Sequence, residues 1–301
     1  MTTVMFWSPD NGQGKTSAHT VITAITAALQ YRARLLLCHN DERGQGVEYG
    51  LSADLSQTAA DIWKNGPGID RLHYLQQSGI LNASNVTDNM VPLVRDRLHL
   101  LAGTKYGHHD ANRNPVFWKN LFQAASQHYD LVLMDAGCGA DKLPLLQLAD
   151  LVVVNLGQNR ESLHNFFANP LYADWEWRSS WMPVIGAYQP KGKLTETEIS
   201  RRFGLQRQLY TLNHCQPLQD AWNVQRLLSF MRNRLVLDWP EQQLGQFFRQ
   251  SFLLTSGMLE QLEQQENAAL PQQAVLAGER STIHRIRHLA LKMPSLVYSP
   301  V

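Results

Sequence analysis

The chain has 301 residues, 44% of them hydrophobic and 18% charged, which is enough for one large α/β domain or a domain with an appendage. Its 27 Lys and Arg against 26 Asp and Glu leave a net charge of +1, which argues against a protein that coats nucleic acid through bulk positive charge. No apolar run approaches the roughly 20 residues of a membrane span. The start lacks the basic and apolar regions of a secretory signal, and Cys38, Cys138 and Cys215 are too scattered for a disulfide framework or a Cys-x-x-Cys metal knuckle, so a reduced, cytoplasmic protein is expected.

Short apolar runs alternate with segments of helical length. Val4–Trp7 reads as a buried strand, and Ser8–Gly14 as a turn-rich loop. Thr16–Tyr31 follows as a helix, with Val21, Ile22, Ile25, Ala28 and Leu29 on one face. Further strands are expected at Leu35–Cys38, Leu98–Ala102, Tyr129–Asp135, Asp150–Leu156 and Met182–Tyr188. Helices are expected at Thr58–Trp63, Gly68–Ser78, Pro115–Gln127, Ser162–Phe167, Glu196–Phe203 and Ala221–Arg234. Strands without polar alternation, separated by helices, predict a mostly parallel sheet covered on both faces. Pro240–Gln265 is a Gln-rich helical pattern, Glu266–Arg280 suits a linker, and Ser281–Met293 is a last helix stopped by Pro294. The expected division is a nucleotide-binding domain over 1–240 and a helical appendage over 241–301.

The sharpest signal lies between the first strand and the first helix. Asn11-Gly12-Gln13-Gly14-Lys15-Thr16-Ser17 has what a phosphate loop needs: small residues for backbone approach, a lysine for the phosphates, a hydroxyl for Mg²⁺ and a helix N-terminus behind. Asp135 ends a hydrophobic strand and precedes Ala136-Gly-Cys-Gly139, the pattern of an acid that holds Mg²⁺ through water beside a mobile turn. Lys15, Thr16 and Asp135 are the minimum nucleotide–Mg²⁺ set, with Thr16 and Asp135 assigned to the metal.

The loop resembles the K-G-G-x-G-K-[TS] motif of the ParA/MinD class of P-loop ATPases. Gly12, Gly14, Lys15 and Thr16 match, while Asp10 stands at the signature lysine and Asn11 at the first glycine. The class carries D-x-D after its second strand, where this chain has His39-Asn40-Asp41, so Asp41 is the remaining candidate acid and His39 a candidate phosphate or water contact, with a polar strand end that carries no chemistry as the alternative. Residues 68–75, 91–104, 149–159 and 215–223 resemble the class more diffusely, and most resemble the TadZ/CpaE-like proteins of pilus and secretion clusters. The resemblance implies a P-loop α/β fold, ATP and Mg²⁺ as cofactors, and an ATP-dependent homodimer. It places the late loop around Pro217 beside adenine. Tyr188 stands where the class often carries an adenine-reading Asn, and is either a base-stacking or a core residue.

The expected function is an ATP-responsive switch that positions or assembles a pilus, secretion or other envelope machine. Hydrolysis is expected to be slow or absent, because Asp10 and His39 replace two parts of the usual apparatus. The alternatives are a DNA-partitioning ATPase, which the neutral charge does not favour, and a non-hydrolysing nucleotide-binding scaffold. Ile283, Ile286, Leu289, Ala290 and Met293 share a helical face next to basic residues, so residues 281–293 resemble a weak membrane-contacting helix, which would give a peripheral location; the alternatives are a partner contact or packing back on the protein's own domain. His108-His109-Asp110 reads as a solvated loop rather than a metal site. Tyr172, Trp175, Trp177 and Trp181 read as a local aromatic cluster, with partner docking as the alternative.

Overall fold

The computed structural model describes residues 1–12, 14–41, 46–66, 68–104, 114–173, 180–235, 242–269 and 282–288. The apolar runs become strands because each is buried on both faces, where β-branched and leucine side chains pack between helices. The strands are β1 (Thr2–Ser8), β2 (Leu35–His39), β3 (Met90–Val94), β4 (Leu98–Leu101), β5 (Leu131–Cys138), β6 (Leu151–Gly157), β7 (Ser180–Tyr188) and β8 (Tyr210–Asn213). They form one sheet in the order β3-β4-β2-β5-β1-β6-β7-β8. Neighbours are parallel except β3, which is antiparallel to β4.

The helices are α1 (Thr16–Gln30), α2 (Gln57–Asn65), α3 (Gly68–Gln77), α4 (Ala83–Val86), α5 (Pro115–Ala125), α6 (Leu143–Leu146) and α7 (Arg160–Ala168), then α8 (Pro170–Ala173), α9 (Glu196–Phe203), α10 (Gln216–Asn223), α11 (Leu227–Leu235), α12 (Gln242–Ala269) and α13 (Thr282–His288). Alternate residues of each strand feed two cores. On one face Leu131 and Leu133 of β5 meet Val21 and Ile25 of α1, Met231 of α11, Phe247 and Leu259 of α12 and Ile283 of α13. On the other, Val132 and Met134 meet Leu72 of α3, Trp118 of α5, Leu163 of α7 and Ile199 of α9. Each fully buried side chain of this size contributes about 1.5–3 kcal/mol.

Three features depart from the sequence reading, and a fourth bears on its alternatives for the last helix. Two strands were not anticipated, β3 and β8, and both are sheet edges. Edge strands tolerate breaks in apolar pattern, and Pro92 of β3 is exposed where no ladder donor is required. The helix expected over Ala221–Arg234 is two helices, separated where Gln225 takes φ +63°. α12 runs through Ala269 into the expected linker, and Glu266 accepts hydrogen bonds from Thr2 Oγ1 (2.8 Å) and from the Ile283 N–H (3.1 Å). In α13, Ile283 and Ile286 are buried in the core beside α12, so the described part of the expected membrane-facing stripe packs on the protein itself. Leu289, Ala290 and Met293 lie outside the described residues. Among the described residues no helix is long and apolar enough to cross a membrane.

Candidate phosphate-binding site

β1 lies between β5 and β6, where the crossovers diverge to the two halves of the sheet. That arrangement opens a crevice beyond the strand ends. The chain crosses it between Ser8 and Thr16. Gly12 takes φ +73°, and Lys15 is held left-handed at φ 55°, ψ 35°. For a residue with a side chain that conformation costs roughly 1–2 kcal/mol, the kind of strain found at functional sites. No side chain caps α1, so the N–H groups of its first turn are left for an anion. Gly14 is required by packing: a Cβ there would lie 2.4 Å from the Asn155 carbonyl oxygen of β6. Gln13 lies outside the described residues.

A cavity of about 590 Å³ opens over this loop. Asn11, Gly12, Lys15, Thr16 and Ser17 line its floor, Asn40 and Asp41 one side, and Asp135, Gly137, Asp141 and Lys142 another. Leu218, Gln219 and Trp222 of α10 form a partly apolar wall. Asp135 is buried; its Oδ2 accepts from Ser17 Oγ at 2.5 Å and its Oδ1 from the Gly137 N–H at 2.9 Å. Burial pushes the Asp135 carboxyl up, against the opposing pull of those two bonds. Thr16 shares the cavity, but the hydroxyl on Asp135 belongs to Ser17. Among the described lining residues, Lys15 and Lys142 face Asp41, Asp135 and Asp141, one more acid than base. A polyphosphate would therefore need a divalent cation with it. The hydroxyl and carboxylate oxygens of Thr16, Asp41 and Asp135 are the hard donors that Mg²⁺ takes.

Asn40 is the unexpected member. It is 2% exposed, and neither its amide oxygen nor its amide nitrogen has a hydrogen-bond partner among the described residues. An unsatisfied buried amide is costly, and at a cavity wall it signals a partner yet to arrive.

His39 is not a cavity residue, which corrects its reading as a phosphate or water contact. Its ring is 2% exposed and packed between Gly46 and Gly103, where a Cβ at either glycine would fall 2.4 Å from it. Nε2 meets Glu48 at 2.8 Å, and Nδ1 accepts the Asp41 N–H at 3.1 Å. Burial alone would lower the imidazole pKa, but the Glu48 carboxylate outweighs it and raises it. Glu48 also accepts the Gly103 N–H at 2.5 Å. His39 thus anchors the backbone that presents Asn40 and Asp41.

Asp10 turns away from the cavity. Its carboxylate accepts from Ser162 Oγ of α7 and faces a separate hollow with His164 and Tyr172. Tyr188 does not reach the cavity either: its ring is buried in the core and its hydroxyl accepts the Glu196 N–H at 3.0 Å. Pro217, in the first turn of α10, does not line it, although its neighbour Leu218 does. Behind the loop, buried His19 places Nδ1 at 2.7 Å from Asn155 Oδ1, which can only accept, so Nδ1 carries the proton. Burial lowers the His19 pKa to about 4; the Asn155 bond raises it and the Lys15 charge lowers it further. Trp181 is buried against Phe166 with Arg207 over its ring, while Trp175, Trp177 and His108-His109-Asp110 lie outside the described residues.

Sequence reasoning singled out neither Asn40 nor Lys142, and in the segment 215–223 that it set beside the base it named Pro217 rather than the lining residues Leu218, Gln219 and Trp222. Leu218, Gln219 and Trp222 stand at i, i+1 and i+4, a spacing that puts 218 and 222 on one helical face. Asn40 and Lys142 carry no comparable signal.

Solved structures of ParA/MinD-type proteins share this architecture. A ParA family ATPase from Chlorobium tepidum TLS superposes with TM-score 0.62 at 14% identity, covering 84% of this chain and 98% of its own. The cell-division protein MinD of Aquifex aeolicus gives 0.57 at 15%, covering 85% and 98%. The septum site-determining protein MinD of Pyrococcus horikoshii OT3, complexed with Mg-ADP, gives 0.56 at 12%, covering 83% and 94%. The chain has the ParA/MinD fold. No protein-family model and no curated protein matches the sequence. Within that fold, the uncapped start of α1, Lys15 and Asp135 meet in one cavity.

Proposed function

We propose that the chain is an ATP-binding switch of the ParA/MinD kind. The observation that carries this reading is the convergence of an uncapped helix N-terminus, Lys15, Thr16, Asp135 and the unpartnered amide of Asn40 on one cavity. Backbone N–H groups of residues 11–16 and Lys15 would hold the phosphates, and the α10 wall with Trp222 would cover an apolar face of the base. Thr16 and Asp135 would hold Mg²⁺, which supplies neutralisation of phosphate charge when bound. Asp41 would orient water or the metal's hydration shell.

Weak or absent hydrolysis is supported by two residues. Asp10 is bound to Ser162 and offers no positive charge to a second copy's nucleotide. His39 is enclosed with Glu48 and offers no base to the cavity. The switch would act through an ATP-dependent homodimer that positions or assembles an envelope machine such as a pilus or secretion apparatus, the reading that residues 68–75, 91–104 and 215–223 suggest. Membrane contact through 281–293, and with it a peripheral location, would require α13 to leave α12.

The test is equilibrium binding of fluorescent ATP and ADP analogues with Mg²⁺, with molar mass by light scattering and phosphate release in parallel. ATP binding lost in Lys15→Ala, a mass increase with ATP and slow turnover are expected. No nucleotide binding, or binding indifferent to Lys15→Ala, refutes the reading; steeply salt-dependent DNA binding by the ATP form would move it to the partition alternative.

A further inference from the structure

Away from the phosphate loop, α12 and α13 meet in a contact that brings three metal-ligating side chains together. Ile283 and Ile286 are buried and fix which face of α13 turns to α12. On the flank of that contact stand Glu263 of α12 and His284 and His288 of α13, with one donor atom from each all within 4.8 Å of one another. The two histidines are a helical turn apart, and their ring centroids are separated by 4.1 Å. Glu263 is buried, with one carboxylate oxygen toward His284 Nδ1 and the other accepting from Arg287.

We propose that Glu263, His284 and His288 form a site for a divalent transition-metal ion, Zn²⁺ in the first instance, that pins α13 to α12. One carboxylate oxygen and two imidazole nitrogens are a donor set suited to Zn²⁺ and foreign to Mg²⁺ or Ca²⁺. Three protein ligands leave a fourth tetrahedral position for water. The charge around the site tolerates a cation. Arg287 lies between Glu263 and Glu260, whose Oε2 is 3.9 Å from it, and Glu266 caps the start of α13 one turn further along α12. Metal entry would replace the hydrogen bond between His284 and Glu263 and leave Arg287 on the outer oxygen. A helix of seven residues is too short to persist alone, so a metal at this contact would decide how firmly Ile283 and Ile286 stay covered.

The experiment is titration of the EDTA-stripped full chain with zinc chloride by calorimetry, without nucleotide, together with thermal melts and the visible spectrum of the cobalt(II) form. The expected result is one tight Zn²⁺ per chain, a higher Tm with Zn²⁺, and tetrahedral cobalt bands. His288→Ala removes an exposed side chain and leaves the packing intact; with Glu263→Gln it should weaken Zn²⁺ by at least about tenfold and abolish the Tm shift. Lys15→Ala should bind Zn²⁺ as the wild type does, which separates this site from the phosphate cavity. Failure of the wild type to bind Zn²⁺, or unchanged binding by His288→Ala, overturns the proposal and leaves an ion-pair network only.

Discussion

Replacing Asn40 by alanine should make the ligand-free protein more stable and the nucleotide complex weaker. Both amide atoms of Asn40 are buried without partners among the described residues. Each such group costs about 1–3 kcal/mol, and truncation removes both. The lost packing of the short side chain returns about 1 kcal/mol. A net gain of at least about 1 kcal/mol remains, which raises Tm by about 2 °C or more in a chain of this size. If the amide meets a bound nucleotide or its metal-bound water, the variant should also bind ATP about tenfold more weakly. Urea unfolding with and without Mg-ATP reads both effects on one sample. Destabilisation of the ligand-free protein with unchanged ATP affinity would refute the reasoning and make Asn40 an ordinary structural residue.

Gly14→Ala forces a Cβ to 2.4 Å from the Asn155 carbonyl oxygen, so a loss of about 1–3 kcal/mol and of nucleotide binding is expected, read by melting and by analogue fluorescence. His19 is neutral when folded, with its pKa lowered from 6.5 to about 4, so between those values the unfolded chain binds more protons and stability falls as pH falls. The loss amounts to about 3 kcal/mol across that window; it should be missing in His19→Gln, and identical pH slopes for the two proteins would contradict it. The raised pKa of His39 works in the opposite sense, which is why the comparison needs the variant. Ile283→Ala should cost about 2–4 kcal/mol in the absence of lipid, because the side chain is fully buried. Unchanged stability would mean that this face of α13 is free for a membrane.

The interior of the fold was readable because it is repetitive. Buried parallel strands such as Leu151–Gly157 announce themselves as unbroken apolar runs, and the loop around Lys15 is constrained by what phosphate requires. The edges were not readable, since β3 and β8 are short, contain Pro92 and Thr211, and are defined by the strand beside them rather than by their own pattern. Of the candidate residues, Lys15, Thr16, Asp41 and Asp135 share the cavity, whereas Tyr188 and His39 are enclosed elsewhere. Position in a motif told which strand end each residue occupied. It did not tell which way the side chain turned, because that depends on Glu48, Gly103 and Glu196, all outside the motif.

α1 joins two parts of the molecule that the sequence separates by more than two hundred residues. Its first turn forms the cavity floor, and its body is buried against β5 and α12. The C-terminal helices therefore brace, from behind, the helix that floors the cavity. A shortened chain ending after α11 would expose the flank of α1, and measurements on it would confuse a lost partner surface with a loosened cleft. Conversely, any ligand that shifts α1 along its axis has a stiff rod of fifteen residues through which to push on α12, and so on whatever α12 and α13 touch.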